Sequence, residues 1–200
     1  PISPKKLSDV LRWKRHHKPE VWLPQRPSFA AKPPERVTHG VHVTWIGHST
    51  FLIQTPTANF LTDPVWAART SPISFLGPKR ARPPALSLAD LPPIDFVVVS
   101  HNHYDHLDLK TLQKLNQQFT PEFVLPLGHG WLRKKGITRL HELDWWETVT
   151  LACGAAVTAA PAQHWSRRGL NDTNHSLWMA AQISLNLCTE ALSESTFNVY

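Results

Sequence analysis

The stretch DFVVVSHNHYDH, residues 95–106, joins an apolar run to four side chains of the kinds that bind metal ions. Those side chains are His101, His103, Asp105 and His106. Imidazole and carboxylate groups suit zinc or a similar first-row metal, and four of them within six residues are too many for one tetrahedral ion. The motif therefore predicts two metal ions.

The residues on both sides of this motif predict its place in the fold. The valine-rich run before it predicts a buried strand, so the motif should lie on the loop at the carboxyl end of that strand. After it, Asp108 can cap a helix whose apolar face runs from Leu109 to Phe119. Strand, ligand loop and helix in this order are typical of an α/β layered site. The alternative is a polar turn with solvated histidines, and the strand directly before the motif argues against it.

The motif and its neighbours resemble one known family. HNHYDHLD, residues 101–108, resembles the metal-binding signature of the metallo-β-lactamase fold superfamily. Further blocks are similar to the branch that contains N-acylphosphatidylethanolamine-hydrolysing phospholipase D and its bacterial relatives. These blocks are VTWIGHSTFL (43–52), LTDP (61–64), SP (71–72), GPKR (77–80), LPPID (91–95), ELDWWE (142–147) and PAQHWSRR (161–168). They cover roughly residues 40–178 and are more specific than the metal motif alone.

The resemblance implies a fold and a set of metal ligands. The implied fold is an αββα sandwich of the α/β class, and the implied activity is that of a dinuclear zinc hydrolase. By the family pattern, His101, His103 and His164 hold one zinc ion, while Asp105 and His106 help to hold the second. The nucleophile is then a metal-activated hydroxide, with Asp105 as the catalytic residue that orients it or passes a proton to the leaving group. His164 on its own would more often be an ordinary buried histidine, and only its block identifies it as a ligand.

Three further residues are candidates for supporting roles at the site. Asp63 ends a strand and could accept a hydrogen bond from a ligating imidazole, or it could cap the turn that Pro64 begins. His48 follows Gly47 in a turn between strands and could face the metals or make a structural hydrogen bond. Tyr104 lies between the ligands and could orient substrate or pack within the fold.

The chain departs from the family after Trp178. The family continues with a turn whose Asp bridges both metals and with a later His of the second site, whereas residues 176–200 contain neither Asp nor His. We therefore expect a basic, proline-rich extension (1–36), an incomplete metallo-β-lactamase-like hydrolase domain (37–179) and a divergent tail (180–200). Only the N-terminal half of the sandwich is then present, so a fragment, an early-terminated product or a site completed by another chain is expected.

This departure has two expected consequences. The second zinc ion should bind weakly or not at all, because Asp105 and His106 supply only two protein ligands. The missing layer should also leave an apolar sheet face uncovered, which favours instability or a homo-oligomer.

Shorter patterns predict some remaining elements. Residues 128–135 are predicted to form a short helix closed by Gly136, and residues 137–140 to form a strand. Trp45 and Trp178 lie on strand-like runs and are predicted to belong to the core.

Basic residues cluster near the amino terminus of a chain with a net charge of +6. They are Lys5, Lys6, Arg12, Lys14, Arg15 and Lys18, with Trp13 and Trp22 among them. Basic residues beside tryptophan suit an anionic membrane surface, and a solvated arm is the alternative. No DNA- or RNA-binding motif accompanies them, so nucleic acid is not an expected partner.

The remaining composition bears on location. No apolar run in the sequence is long enough to span a bilayer, and the two cysteines, Cys153 and Cys188, are isolated thiols. The expected location is the cytoplasm or the periphery of a membrane.

Three functional classes are open at this point. A zinc-dependent phosphodiesterase acting on a phospholipid-type phosphoester is favoured by the blocks quoted above. A lactonase or hydrolase of a small phosphorylated metabolite is the second class, because a related branch shares the GHSTFL and LTDP segments. The third is a truncated, non-catalytic module that binds metal. An apolar channel would favour the lipid substrate, and a closed polar pocket the small metabolite.

Overall fold

A computed structural model describes residues 7–18, 32–73, 75–185 and 195–199. Two α-helices, α1 (Leu7–His16) and α2 (Leu109–Phe119), lie in this part of the chain, with short 3-10 helices at Leu88–Asp90 and Gly130–Lys135. The strands are β1 (His42–Gly47), β2 (Thr50–Gln54), β3 (Asn59–Thr62), β4 (Phe96–Val98), β5 (Glu122–Pro126), β6 (Leu140–Leu143), β7 (Thr148–Thr150), β8 (Ala156–Ala160), β9 (Ala180–Leu185) and β10 (Ser195–Val199).

The strands form two sheets. The first sheet has the order β1-β2-β3-β4-β5-β6, with antiparallel pairing from β1 to β3 and parallel pairing from β3 to β6. The second sheet has the order β10-β9-β8-β7 and is antiparallel throughout. Because Thr62 pairs with Val98 in the parallel β3–β4 register, the segments that follow β3 and β4 leave the first sheet at the same edge.

Helix α2 covers one face of the first sheet. It begins as the sequence predicts, because the Asp108 carboxylate accepts hydrogen bonds from the Thr111 amide at 3.3 Å and the Thr111 hydroxyl at 2.6 Å. Leu112 and Leu115 are fully buried in a core cluster that also contains Phe123 of β5. This helix-on-sheet layer confirms the predicted order of strand, ligand loop and helix.

The opposite face of the first sheet packs against the second sheet. The cluster between them contains Phe60 and Phe96 from the first sheet, and Val157 and Ile183 from the second. The rings of Phe60 and Phe96 are stacked with their centroids 4.5 Å apart. Alternate strand residues from two facing sheets thus form one interior, which confirms the predicted sandwich of two sheets.

The second sheet includes residues from the predicted tail. β9 begins at Ala180, pairs with β8 from Ala180 to Ser184, and has β10 on its other side at the sheet edge. On β7, β8 and β9 the outward positions alternate with the buried ones and carry small or polar side chains, so the predicted uncovered apolar face does not lie on these three strands. These positions are Thr148, Thr150, Ala156, Thr158, Ala160, Gln182 and Ser184.

Two local predictions are also wrong. The strand expected at residues 137–140 lies at Leu140–Leu143, because β6 pairs with β5 in that register while Ile137 is buried before the strand starts. Trp45 is 54% exposed, since β1 is an edge strand of the first sheet, and Trp178 is only half-buried. The short helix predicted before Gly136 is present as Gly130–Lys135.

The amino-terminal extension contains a helix that the sequence analysis did not predict. Leu7, Val10 and Leu11 recur at helical spacing in α1, a signal that the basic, proline-rich composition obscures. Within the described ranges, no helix is both long and apolar enough to cross a membrane. Four residues considered above lie outside the described residues: Lys5, Lys6, Trp22 and Cys188.

Candidate metal centre

Three imidazole nitrogens converge at one edge of the sandwich. His101 and His103 stand on the loop after β4, and His164 stands on the loop after β8. His101 Nε2 lies 2.8 Å from His103 Nδ1 and 2.9 Å from His164 Nε2, and the last two atoms are 3.3 Å apart. Three ring nitrogens this close cannot all be satisfied by sharing hydrogens, whereas a cation between them would accept all three lone pairs. The donor set therefore fits a metal ion.

The electrostatics of these three histidines favour the form that binds metal. Burial, reinforced by the surrounding histidines, lowers the pKa of His101 to about 2. Burial also lowers the pKa of His103 and of His164, and the proximity of other histidines adds to the effect. All three imidazoles are consequently neutral at neutral pH, and the neutral ring is the metal ligand.

A second group of potential ligands lies beside the first. It consists of His48, Asp105 and His106, each with a ligand atom within 4.8 Å of the others. Asp105 Oδ2 lies 3.1 Å from His48 Nε2 and 3.7 Å from His106 Nε2. The ring centroids of His101 and His106 are 4.1 Å apart, so the two groups are adjacent. The structure thus brings together all five predicted ligands and adds His48, which the sequence placed in a supporting role.

Asp63 orients one histidine of each group, His106 directly and His101 through Ser100. Its Oδ2 accepts a hydrogen bond from His106 Nδ1 at 2.7 Å and another from the Ser100 hydroxyl at 2.8 Å. Since the Ser100 hydroxyl has one hydrogen, it must accept from His101 Nδ1, which lies 2.8 Å away. Both rings are then protonated on Nδ1, and the lone pairs on Nε2 are left for metal.

The same contacts set the charge of His106. Burial alone lowers the pKa of His106, but the hydrogen bond from its ring to Asp63 and the negative charges of Asp63 and Asp105 outweigh burial and raise it. Asp63 itself is only 7% exposed, and its Oδ1 accepts the Ser100 amide at 2.7 Å. The hydrogen bonds of this carboxylate are therefore ones that orient His106 and Ser100.

Arg168 stabilises the ligand loop through hydrogen bonds to its backbone. One guanidinium nitrogen donates to the carbonyl oxygens of Asn102 and Leu107, each at 2.9 Å. The guanidinium also lies 4.1 Å from the centre of the Tyr104 ring, and the Tyr104 hydroxyl donates to the Arg168 carbonyl at 3.0 Å. Tyr104 therefore packs against Arg168 in the described structure, which is the structural alternative for that residue.

Asn102 ties the ligand loop to the segment that carries His164. Its Nδ2 donates to the Ser176 hydroxyl at 2.8 Å, and its Oδ1 accepts the Arg167 amide at 2.9 Å. Sequence reasoning missed Ser100, Asn102 and Arg168, although Asn102 stands between two ligands and Arg168 stands four residues after His164. The roles of Asn102 and Arg168 depend on contacts between segments more than 60 residues apart, and the role of Ser100 depends on Asp63, 37 residues away. No local pattern specifies these contacts.

A cavity of about 340 Å³ opens at the metal-binding groups. Its lining includes both apolar and polar side chains. The polar lining residues are His48, Ser49, Thr62, Asp63, Ser100, His101, His106, Gln163 and His164. The apolar lining residues are Phe51, Val98, Ala162, Trp178, Met179 and Ala181. A substrate in this cavity would contact both potential metal ligands and apolar side chains.

Two packed sheets, with imidazole and carboxylate groups gathered where loops from both sheets meet, define an α/β sandwich protein with a metal centre. Residues 58–186 match the family described as Beta-lactamase superfamily domain. The chain belongs to this superfamily, whose metallo-β-lactamase fold is the one that the sequence predicts, so the predicted family is confirmed.

Two curated proteins illustrate its relatives. The chain is 45% identical over 157 residues to N-acyl-phosphatidylethanolamine-hydrolyzing phospholipase D 1 of Caenorhabditis elegans, covering 70% of this chain and 42% of that protein. It is 36% identical over 142 residues to the mitochondrial N-acyl-phosphatidylethanolamine-hydrolyzing phospholipase D of Saccharomyces cerevisiae, covering 69% of this chain and 30% of that protein. The chain thus spans less than half the length of either relative, and both names describe hydrolases, as the sequence predicts.

A solved structure supports the fold. Igni18, a metallo hydrolase from the archaeon Ignicoccus hospitalis, superposes with a TM-score of 0.53 at 22% identity. The match covers 72% of this chain and 55% of Igni18. The shared architecture confirms the predicted fold class.

Proposed function

We propose that the chain contributes the metal centre of a zinc-dependent hydrolase that cleaves a phosphodiester bond of a phospholipid. One observation carries this proposal: three histidine nitrogens converge within 3.3 Å beside the Asp105 carboxylate, at the mouth of a cavity with apolar walls. The identity to two proteins named as phospholipases D supports the same substrate class.

The proposed metal ligands follow from the two groups. His101, His103 and His164 hold one ion, and Asp105 and His106 contribute to a second. Zinc suits this mixture of imidazole nitrogen and carboxylate oxygen, and it needs no redox partner. When bound, the ions lower the pKa of a water molecule and polarise the phosphoryl oxygen of the ester.

Asp105 has the position of a proton-handling group. Its side chain is 41% exposed, which leaves the carboxylate accessible to water. His48 and His106 lie on either side of Oδ2, so the carboxylate is held without being enclosed. A carboxylate in this position can orient an attacking water and accept its proton, which then passes to the alcohol leaving group.

The shape and lining of the cavity favour a lipid over a small metabolite. Phe51, Trp178 and Met179 line the cavity, and they offer no charge to a sugar or a free phosphate. An acyl or glyceryl segment can bury apolar surface there while the phosphodiester reaches the ligands. A small phosphorylated metabolite would instead need polar groups around its whole surface.

A hydrolysis assay tests the proposal. The metal-free chain is supplied with zinc, and vesicles containing N-acyl-phosphatidylethanolamine are incubated with it in water labelled with oxygen-18. Hydrolysis adds one water across the phosphodiester, releases the alcohol and leaves a phosphomonoester, so we expect the label in the phosphate. A lactone and a soluble phosphorylated sugar are assayed in parallel.

The controls separate this function from its alternatives. His101→Ala should lower the rate by more than the 10- to 100-fold typical of losing a group that merely supports a ligand. His39→Ala, at an exposed histidine outside both groups, should leave the rate unchanged. Turnover of the lactone or the sugar phosphate alone would replace the lipid proposal with the small-molecule one. Zinc binding without turnover of any substrate would leave a metal-binding module.

We also propose that an anionic membrane surface is a partner of α1. Arg12, Trp13 and Arg15 are exposed on this helix, and Lys18 is exposed just after it. Trp13 is 57% exposed, so its ring is accessible to the interface while the cations meet lipid headgroups. Sedimentation with phosphatidylserine vesicles should pull down the chain at low salt and less at high salt. Equal sedimentation of a variant with Arg12→Gln, Trp13→Ala and Arg15→Gln would contradict the proposal.

A further inference from the structure

The second group of ligands has an imidazole that the family motif HNHYDH does not include. His48 stands 53 residues before His101, in the turn between β1 and β2, yet its Nε2 lies 3.1 Å from Asp105 Oδ2. Its ring meets the His106 ring edge to face, with centroids 5.1 Å apart. The His48 side chain therefore contacts the loop that carries the motif.

The backbone at His48 is held in an unusual conformation. Its φ of +51° lies in the left-handed region, where a side chain other than that of glycine is uncommon. The carbonyl oxygen of His48 accepts a hydrogen bond from Trp45 Nε1 at 2.9 Å, which fixes the turn. Asp63, which orients His106, also has a positive φ, of +38°. Two left-handed residues of this kind beside one site indicate that an unfavourable backbone conformation is kept there because it positions the two side chains.

The chemistry of the group points to one use. We propose that His48 is the third protein ligand of the second metal ion, together with Asp105 and His106. This inference rests on the metal centre proposed above and extends it to a residue outside the motif. Two nitrogens and one carboxylate oxygen within 4.8 Å of one another match the three-ligand sets that leave one position of zinc open for water. The second site, expected from the motif to have only two protein ligands, then has three.

A metal count tests this assignment without using catalysis. The metal-free chain is titrated with zinc, and tight equivalents are counted by elemental analysis after gel filtration. We expect two ions for the parent chain and one for His48→Gly, because glycine adopts the left-handed turn without strain and removes the imidazole. The affinity for the second zinc should fall by at least ~100-fold, the upper range for losing a supporting group.

Matched variants define the other outcomes. His48→Asn also tolerates the left-handed turn and ends too early to replace Nε2, so it should lose the same ion. His39→Ala should keep both ions. Cobalt substitution gives a second readout, because the visible spectrum of the second ion should vanish in His48→Gly while that of the first remains.

Three results would overturn the assignment. Two tight ions in His48→Gly would show that His48 is not a ligand. A single ion in the parent chain would show that His48 does not complete the second site. Loss of both ions in His48→Gly would mean that His48 is needed for the structure of both metal-binding groups, which is not the specific loss expected of a ligand of the second ion. None of these results depends on which ester the protein hydrolyses, so the lipid proposal stands or falls separately.

Discussion

Replacing Asp63 with asparagine should weaken metal binding at both groups, and more at the second. The carboxylate accepts three hydrogen bonds, from His106 Nδ1, the Ser100 hydroxyl and the Ser100 amide, at 2.7 to 2.8 Å. Asparagine has only one side-chain oxygen. Its NH₂ group must therefore take either the Oδ2 position, facing His106 and the Ser100 hydroxyl, or the Oδ1 position, facing the Ser100 amide. If that group takes the Oδ2 position, His106 must move its proton to Nε2, and the lone pair directed at the second metal is lost.

The expected magnitude follows from the role of Asp63. Loss of a group that orients a metal ligand typically costs 10- to 100-fold in affinity, or about 1.4–2.7 kcal/mol. The second zinc should show the full effect, because Asp63 contacts His106 directly. The first zinc should show less, because Asp63 reaches His101 only through Ser100. Competition with a chromophoric chelator measures both constants, and ¹⁵N NMR of the imidazoles reports which nitrogen of His106 is protonated.

A variant at Ser100 separates the effect of Asp63 on the first site, which passes through Ser100, from its direct effect on the second. Ser100→Ala removes the link to His101 and leaves the hydrogen bond between Asp63 and His106, so it should weaken the first site and spare the second. If Asp63→Asn binds two zinc ions with the affinities of the parent chain, the carboxylate does not set the histidine tautomers and the reasoning fails.

Two other regions give predictions of the same kind. Arg168→Met should weaken zinc binding at His101 and His103, which zinc titration measures. It should also destabilise the fold by about 2 kcal/mol or more, measured by calorimetry, because each lost hydrogen bond from a charged donor is worth ~1.5–3 kcal/mol. Glu122→Gln should cost roughly 1–3 kcal/mol at pH 7, measured by urea unfolding, because the carboxylate accepts from His141 at 2.9 Å and from the Ala152 amide at 2.8 Å. Burial raises the pKa of Glu122, but these bonds and Arg139 outweigh it and lower the pKa, so the stabilisation is complete above the unfolded value of 4.5 and disappears as pH falls through the lower folded value.

Controls for these predictions are available within the chain. Arg168→Lys keeps the charge but replaces the planar guanidinium with an ammonium group, so it should fall between the parent and Arg168→Met. An Arg168→Met variant with unchanged zinc affinity would show that the ligand loop keeps its conformation without the hydrogen bonds from Arg168. For Glu122, a stability difference from Glu122→Gln that persists far below pH 4.5 would contradict the assigned charge effect.

Local patterns predict the centre of this fold well. The buried run at Phe96–Val98, the histidine loop after it and the cap at Asp108 are all specified by residues within a few positions of one another. Such features depend on alternation, helical spacing and capping, which a sequence displays directly. The five predicted ligands come together for the same reason, with the loop motif placing four of them and the family resemblance adding His164.

The errors occur where distant segments decide the outcome. The register of β6 is set by pairing with β5, so the polar pair His141 and Glu142 lies in a strand while Ile137 is buried outside it. His141 is satisfied there by Glu122, and Glu142 accepts the His129 amide at 2.7 Å. The strand-like run around Trp45 predicts a core residue, but β1 is an edge strand of the first sheet, so Trp45 is exposed. The place of His48 likewise depends on how the β1–β2 turn meets the loop after β4.

The first group of histidines brings together loops from the two sheets. His101 follows a strand of the first sheet, His164 follows a strand of the second, and 63 residues separate them. A metal bound to both would act as a cross-link, and a rigid link across a loop of that length removes about 4 kcal/mol of chain entropy from the unfolded state, by analogy with a disulfide. Opening the sandwich at this edge would require breaking coordination bonds. Preparations that differ only in metal content should therefore differ in melting temperature, and dialysis against a chelator should make this edge exchange its amide hydrogens faster.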